Sequence, residues 1–381
     1  MGKTLREVAE QLRNSKKKVQ LIYAFNGTGK TRLSREFKRL VAPKVDDVGD
    51  GSDVSQTPSW GKILYYSAFT EDLFYWDNDL ALDAYPRIRI QPNSFTDWLL
   101  RLLRDLGQDG NIVGHFQRYS NGKLNPNFSE DLSEVTFSLE RGDDAVSANL
   151  KISKAEEGGF IWSIFYTLME QAILMLNQAE VEDRETREFD FLEHVFIDDP
   201  VSSLDENHLI ELAVDLAGML RSSSNPGLKF IITTHNSLFY NVLYNELRVD
   251  CGYFLERLDD GMFQLFEMKG DSNRGFSYHL HIKKVIEQAI RDNKIERYHF
   301  TLLRNLYEKT ASFLGYKKWS ELLPEDRQAY LNRIIHFTSH STLSNESVAD
   351  PSPQEKQTVR FLLDNLVNTC GYWRQKDDQN G

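Results

Sequence analysis

The stretch Val19-Gln-Leu-Ile-Tyr-Ala-Phe-Asn-Gly-Thr-Gly-Lys-Thr31 decides the fold. An apolar run from Val19 to Phe25 reads as a strand. It ends in a loop holding Asn26, Gly27, Thr28 and Gly29, and then Lys30 and Thr31 open a segment with Leu33, Phe37 and Leu40 at helical spacing. Glycines let backbone N–H groups turn inward on phosphate oxygens, a lysine reaches the β/γ oxygens, and a hydroxyl serves Mg²⁺. The helix N-terminus adds a dipole that favours anions. Ala24 stands where the full pattern has its first glycine, a mild departure at its least demanding position. On its own the segment also reads as a glycine turn with a surface lysine, so two further segments are needed to decide.

Val195-Phe-Ile-Asp-Asp-Pro-Val-Ser-Ser-Leu-Asp205 and Ile231-Ile-Thr-Thr-His235 supply them. Asp198 closes an apolar strand and is expected in the Mg²⁺ shell. Taken together the three segments resemble the ABC-type ATPases, the class of transporter motors and Rad50/SMC proteins. The resemblance makes Asp205 part of a D-loop and His235 a γ-phosphate sensor. Asp199 sits where that class has a glutamate to orient water, one C–C bond shorter, about 1.5 Å. Slow hydrolysis is therefore expected. Ile152-Ser-Lys-Ala-Glu-Glu157 resembles the signature motif, keeping Ser153 and Glu156 without the glycines; Ser153 serves equally as a helix N-cap. As a signature it faces the nucleotide of a second chain, which implies a homodimer or higher oligomer. No glutamine marks the loop after Tyr66. The nucleotide is GTP or ATP with Mg²⁺, and no Asn-Lys-x-Asp motif selects guanine.

With 381 residues the chain has room for two or three domains. A net charge of -12 argues against broad coating of nucleic acid, which needs cations to neutralise phosphates, though not against a local basic cleft. Cys251 and Cys370 give neither a disulfide framework nor a metal pair, and a reduced, cytoplasmic setting fits. No run of 18 or more apolar residues is read, so no membrane span is expected. Met1 to Arg6 lacks a signal-peptide core and a myristoylation pattern.

Outward from the motifs, helices are expected over 5–18, 31–40, 160–178 and 204–219, and strands over 62–66, 135–139, 148–152 and 229–233. The aromatic, Leu-rich 69–106 reads as helical and 46–58 as a surface loop. The alternation makes 1–262 an α/β ABC-type ATPase (P-loop) domain. After Gly261 the pattern turns helical, near 280–290, 295–314, 324–337 and 353–371, so 263–381 is a second, mainly α-helical domain. The tail from Gln375 is polar.

Within the helical part, Arg304 and Glu308 lie one helical turn apart on one face, and His340 follows in Phe337-Thr-Ser-His-Ser-Thr342. A guanidinium, a carboxylate and an imidazole suit metal-free RNA cleavage, in which a 2′-OH attacks the adjacent phosphate. The same spacing also suits a surface ion pair, His340 a cap or core position, and Arg333 with His340, or His336, forms a competing set. Lys283, Lys284, Arg291, Lys294 and Arg297 make the neighbouring helices basic.

Several longer runs narrow the choice: Gln20 to Ser34, Ala68-Phe-Thr-Glu-Asp-Leu-Phe-Tyr-Trp-Asp-Asn78, Arg304-Asn-Leu-Tyr-Glu-Lys-Thr-Ala-Ser-Phe-Leu-Gly315 and Phe337 to Glu346. With these the chain resembles, over essentially its whole length, the PrrC family of anticodon nucleases. The resemblance implies a mainly α-helical, HEPN-like ribonuclease domain with Arg304, Glu308 and His340 catalytic and no metal in the nuclease site. It implies cleavage of tRNA-Lys 5′ of the wobble base, leaving a 2′,3′-cyclic phosphate and a 5′-hydroxyl. It further implies GTP hydrolysis, dTTP binding, and a latent state held by a type I restriction–modification complex, with a phage-encoded activator peptide as a further partner. Anticodon recognition maps to 269–279, with Asp271, Ser272, Asn273, Phe276 and Tyr278 as tRNA-binding residues; from the residues alone this is equally an ordinary turn. Two rivals remain: a Rad50/SMC-like DNA-binding ATPase, which needs a long heptad insertion absent from 60–150, and a metal-dependent DNase, whose acidic cluster is absent after 262.

Overall fold

The structure, a computed structural model, describes residues 2–43, 59–79, 84–120, 122–140, 146–147, 149–200, 206–247, 251–258, 260–269, 278–338 and 351–372. It forms two compact units, Met1–Gly275 and Phe276–Gly381. The expected loop at 46–58 and the polar tail lie outside the described residues.

The first unit opens with α1 (Leu5–Asn14), capped by Thr4, whose hydroxyl accepts from the Glu7 amide while the Glu7 carboxylate accepts in return. Strand β1 (Val19–Tyr23) leads through the glycine loop into α2 (Lys30–Val41). A six-stranded sheet is built from β1, β2 (Ile63–Tyr66), β8 (His194–Asp198), β9 (Lys229–Thr234), β10 (Cys251–Arg257) and β11 (Phe263–Lys269). Its order is β11-β10-β1-β9-β8-β2, parallel except for the β10–β11 hairpin. Strand β1 is buried on both faces, as a central parallel strand must be. Ile22 packs with Leu5, Leu33 and Phe37 of α1 and α2. Tyr23 instead meets Tyr240 of α8 (Ser237–Leu247), with ring centroids 5.8 Å apart.

Between β2 and the long helix α6 (Lys154–Asn177) lies a second, antiparallel sheet rather than the helical segment expected over 69–106. After the short α3 (Ala68–Glu71), β3 (Phe74–Asp77) pairs with β4 (Arg87–Ile90), and β4 with β6 (Glu134–Glu140), which also carries β5 (Leu124–Phe128) and β7 (Val146–Ser147). Arg-Ile-Arg-Ile alternates with period two, which residue richness alone hid. Arg87 and Arg89 each bridge Asp77 and Glu134 at 2.8–3.4 Å, tying β3, β4 and β6 together. Helices α4 (Ser94–Asp105) and α5 (Asp109–Tyr119) complete the insertion. Of the strand expected at 148–152, residues 149–152 are not in a strand; β7 lies at 146–147.

Helix α6 amends another expectation. By length and mean hydropathy it suffices to cross a membrane, yet 89% of its most apolar stretch is buried inside the protein. It is a core helix. Helix α7 (Glu206–Ser222) packs against α8.

The second unit is helical: α9 (Tyr278–Arg291), α10 (Arg297–Phe313), α11 (Arg327–Thr338) and α12 (Pro353–Thr369). Ile282, Ile286, Phe300, Leu303, Leu306, Ile334, Leu362 and Leu366 form its core. The buried Tyr307 hydroxyl donates to the Leu362 carbonyl at 2.8 Å. The division falls at Gly275/Phe276 instead of residue 262, because 263–269 forms β11 and pairs along its whole length with β10.

Candidate nucleotide and nuclease sites

The sheet order brings the ends of β1, β9 and β8 side by side, and with them the three motifs. Gly27 and Gly29 have φ of +79° and +114°, the region in which a Cβ is penalised, so the loop needs glycine at both. Gly29 caps α2. Lys30 spans the loop: Nζ lies 3.2 Å from the Ala24 carbonyl, 3.4 Å from that of Phe25 and 3.3 Å from Asn26 Oδ1. It also stands 3.5 Å from Asp199 Oδ2. The amide of Thr28 donates to the Phe25 carbonyl at 3.2 Å, tightening the turn.

Asp198, 3% exposed, accepts from the Thr233 hydroxyl at 2.5 Å and from Thr31. Burial lifts its pKa above the usual carboxylate range, with the Asp199 charge adding to the effect. Asp199 behaves oppositely. Burial pushes it up, but the hydrogen bond from His235 and the charge of Lys30 outweigh this and hold it low. His235 Nδ1 lies 2.5 Å from Asp199 Oδ2, and its backbone amide is 3.3 Å from Oδ1. Asp199 also adopts φ +56°, a left-handed conformation that aspartate tolerates better than most residues. Two adjacent carboxylates, Asp198 buried and Asp199 half-buried, face one lysine and one imidazole, an excess of negative charge that suits a divalent cation. Thr31 and Asp198 are the residues that fit it.

Asn26, Gly27, Thr28, Gly29, Lys30, Thr31, Asp198, Asp199 and His235 thus converge as the sequence suggests. Ser153 takes the N-cap role its sequence also allows: it is exposed, accepts from the Glu156 amide at 3.2 Å, and its own amide donates to Glu156 at 2.7 Å. Asp205 lies outside the described residues. The sequence reading missed Tyr65, whose hydroxyl is 2.8 Å from Ser34 Oγ and whose pKa burial raises, the Asp198 charge adding to the rise. It also missed Thr233 as the partner of Asp198, although two hydroxyl residues closing a strand buried from Phe230 onward are a readable signal.

In the second unit, Arg304 Nε donates to Glu308 Oε1 at 2.7 Å, with side chains 37% and 39% exposed. The guanidinium carbon stands 6.0 Å from the ring centre of Trp319, which in turn meets Tyr307 edge-on at 6.2 Å. Trp319 was not legible as part of this site. His340, Asp271, Ser272, Asn273 and Phe276 lie outside the described residues, as do the side chains of Tyr278, Arg333 and His336. Lys283, expected on a basic face, is buried and paired with Glu287 at 2.7 Å.

No protein-family model matches the chain. An anticodon nuclease of Escherichia coli is 62% identical over 399 aligned positions, which span 100% of this chain and 100% of the relative. Among solved structures, an Smc head bound to the C-winged helix domain of ScpA covers 68% of this chain and 92% of its own at 12% identity and a TM-score of 0.36. The SMC head domain from Thermotoga maritima covers 67% and 92% at 13% identity and a TM-score of 0.31. Likenesses this remote carry no weight, and the description of the first unit rests on its own strand order and loop geometry. Identity over the full length is a different matter: the chain belongs to the anticodon nuclease family.

Proposed function

We propose that the chain is a nucleotide-regulated anticodon nuclease that cuts tRNA-Lys 5′ of the wobble base. The observation that carries this reading is the 62% identity over the entire length to a curated anticodon nuclease. The contact between Arg304 and Glu308 supports it, since a guanidinium and a carboxylate held together on one exposed helix face can embrace a phosphodiester. In the reaction the 2′-OH attacks the adjacent phosphorus and the P–O5′ bond breaks. Arg304 stabilises the charge on the pentacoordinate phosphate. Glu308 and His340 share the transfers, one accepting the 2′ proton and the other donating to O5′. The products are a 2′,3′-cyclic phosphate and a 5′-hydroxyl, with no metal taking part. The helical unit serves as a HEPN-like ribonuclease domain, and Asp271, Ser272, Asn273, Phe276 and Tyr278 read the anticodon.

The first unit binds GTP or ATP, and dTTP, with Thr31 and Asp198 holding Mg²⁺. When bound, the cation neutralises phosphate charge. Lys30 reaches the β/γ oxygens and His235 senses the γ-phosphate. Ser153, exposed at the start of α6, and Asp205 complete the nucleotide site of a second copy, making the active form a homodimer or higher oligomer. The setting is cytoplasmic, in antiphage defence, with a type I restriction–modification complex restraining the nuclease and a phage-encoded peptide releasing it. A Rad50/SMC-like clamp is disfavoured because the insertion after β2 is a small sheet with helices of 12 and 11 residues. To test the proposal, tRNA from cells expressing wild type, Arg304→Ala or His340→Ala is end-mapped. Anticodon-loop breaks with cyclic phosphate ends, confined to wild type, are expected; intact tRNA beside active wild type would refute it.

A further inference from the structure

The C-terminal end of α10 carries a surface that neither the nucleotide site nor the Arg304–Glu308 pair explains. Phe313, the last residue of the helix, is 88% exposed, the most exposed of the large hydrophobic side chains described. Leu314 and Tyr316 beside it are 46% and 45% exposed. Lys309, Lys317 and Lys318 are exposed around them. From Arg304 to Lys318 the chain holds four cations against the single anion Glu308, in a protein whose net charge is -12.

This cap is tightly built. Leu314 donates to the Thr310 carbonyl at 3.0 Å, Gly315 to Ser312 at 3.2 Å and Tyr316 to Ala311 at 2.9 Å. Gly315 takes φ +80°, so the chain reverses on a left-handed glycine and leaves the helix in a fixed direction. Four residues on, Trp319 stands beneath the guanidinium of Arg304. Phe313 is nine residues beyond Arg304, about 13 Å along the axis at the usual rise. The segment that returns from the tip ends against Arg304 itself.

Exposed aromatic rings are costly in water unless something covers them. Rings interleaved with cations suit unpaired nucleotides, whose bases stack on aromatic faces while their phosphates meet lysines. An apolar protein partner would answer the rings and leave three lysines unanswered. We propose that the cap at 313–318 is the platform on which unpaired bases of the RNA substrate stack, holding the strand beside Arg304 and Glu308. The proposal rests on the nuclease reading above and adds a binding surface to it.

The test uses the full-length chain in a His340→Ala background, with a short RNA hairpin carrying an unpaired loop as probe and fluorescence anisotropy as readout. Phe313→Ser with Tyr316→Ser should weaken binding roughly 10- to 100-fold, while Tyr316→Phe, which keeps the ring, stays within about threefold. Lys317→Ser with Lys318→Ser should reduce the slope of log affinity against log salt by about 1.4, two single-strand phosphate contacts. In the cleaving protein the ring variants should raise KM and leave kcat within about threefold. Parent-like RNA binding in all variants overturns the proposal. So does intact RNA affinity with a smaller assembly in sedimentation, which would assign the rings to contact between copies. A wild type that neither binds nor cuts RNA sinks the nuclease reading along with it, whereas a cutting wild type with indifferent cap variants sinks this inference alone.

Discussion

His235 Nδ1 and Asp199 Oδ2 stand 2.5 Å apart, so the imidazole at the end of β9 holds the carboxylate that follows β8. The Asp199 carboxylate is already shared between His235 and Lys30, and its side chain is one carbon shorter than a glutamate's. Nucleotide turnover is therefore expected below the typical enzyme median of about 10 s⁻¹. His235→Ala removes the interaction that, with Lys30, keeps Asp199 ionised despite burial. Its pKa then rises, and the acid limb of the turnover profile moves to higher pH. A pH–rate series on both proteins measures this; an unmoved limb would show that Asp199 is not the titrating group.

Gly29→Ala tests the loop. An alanine at φ +114° costs about 1–2 kcal/mol, and its Cβ would lie 3.4 Å from the Phe263 ring. The loop escapes by turning its amides away from the phosphates, so nucleotide affinity should fall at least ~10-fold with little change in melting temperature. Equilibrium dialysis with labelled GTP and ATP reads it directly.

His194 predicts a pH dependence of stability. Its ring is buried against Phe37 at 5.2 Å, and neither nitrogen has a hydrogen-bond partner. Burial lowers its pKa to about 4, with Lys229 and Arg13 adding to the effect. The unfolded chain binds its proton near the ordinary value of about 6.5, so between the two values the unfolded state holds more protons. Stability is then complete above that range and declines as pH falls from about 6.5 to 4, by up to about 3 kcal/mol. Denaturant melts across this range should show the decline in wild type and a flatter profile in His194→Leu.

The Arg304–Glu308 pair gives a fourth expectation. Glu308→Gln keeps a hydrogen-bond acceptor for Arg304 but removes proton transfer, and should lower cleavage ~10²- to 10⁴-fold. Arg304→Lys keeps the charge and loses the planar fork and the Trp319 contact, and should lose at least ~10-fold. Single-turnover cleavage of labelled tRNA separates these from binding.

The grouping of the candidate nucleotide-site residues was legible because they are written in consecutive positions at strand ends: Gly27 to Thr31, Asp198 with Asp199, and His235. Of the small sheet only β6 was, expected as a strand at 135–139. Phe74-Tyr-Trp-Asp and Arg87-Ile-Arg-Ile are four-residue strands, too short for periodicity to stand out amid aromatic and leucine-rich sequence. β11 was missed for a related reason, since Phe263 to Lys269 becomes a strand by pairing with β10 and little in the sequence marks it locally. The four α-helices described in the second unit emerged within a few residues of expectation. Trp319 escaped notice because its neighbour Arg304 is fifteen positions away, a contact made only once the chain turns at Gly315.

Under the proposed function, nucleotide in the first unit governs RNA cleavage by the second, and one assay addresses that directly. Purified full-length protein, with Lys30→Ala and Arg304→Ala variants, is given tRNA with and without GTP or ATP, and both cleavage and nucleotide hydrolysis are measured. Arg304→Ala should hydrolyse nucleotide normally and cut nothing, while Lys30→Ala should lose every response of cleavage to nucleotide. Cleavage by Arg304→Ala, or a wild-type nucleotide response in Lys30→Ala, would contradict the coupling.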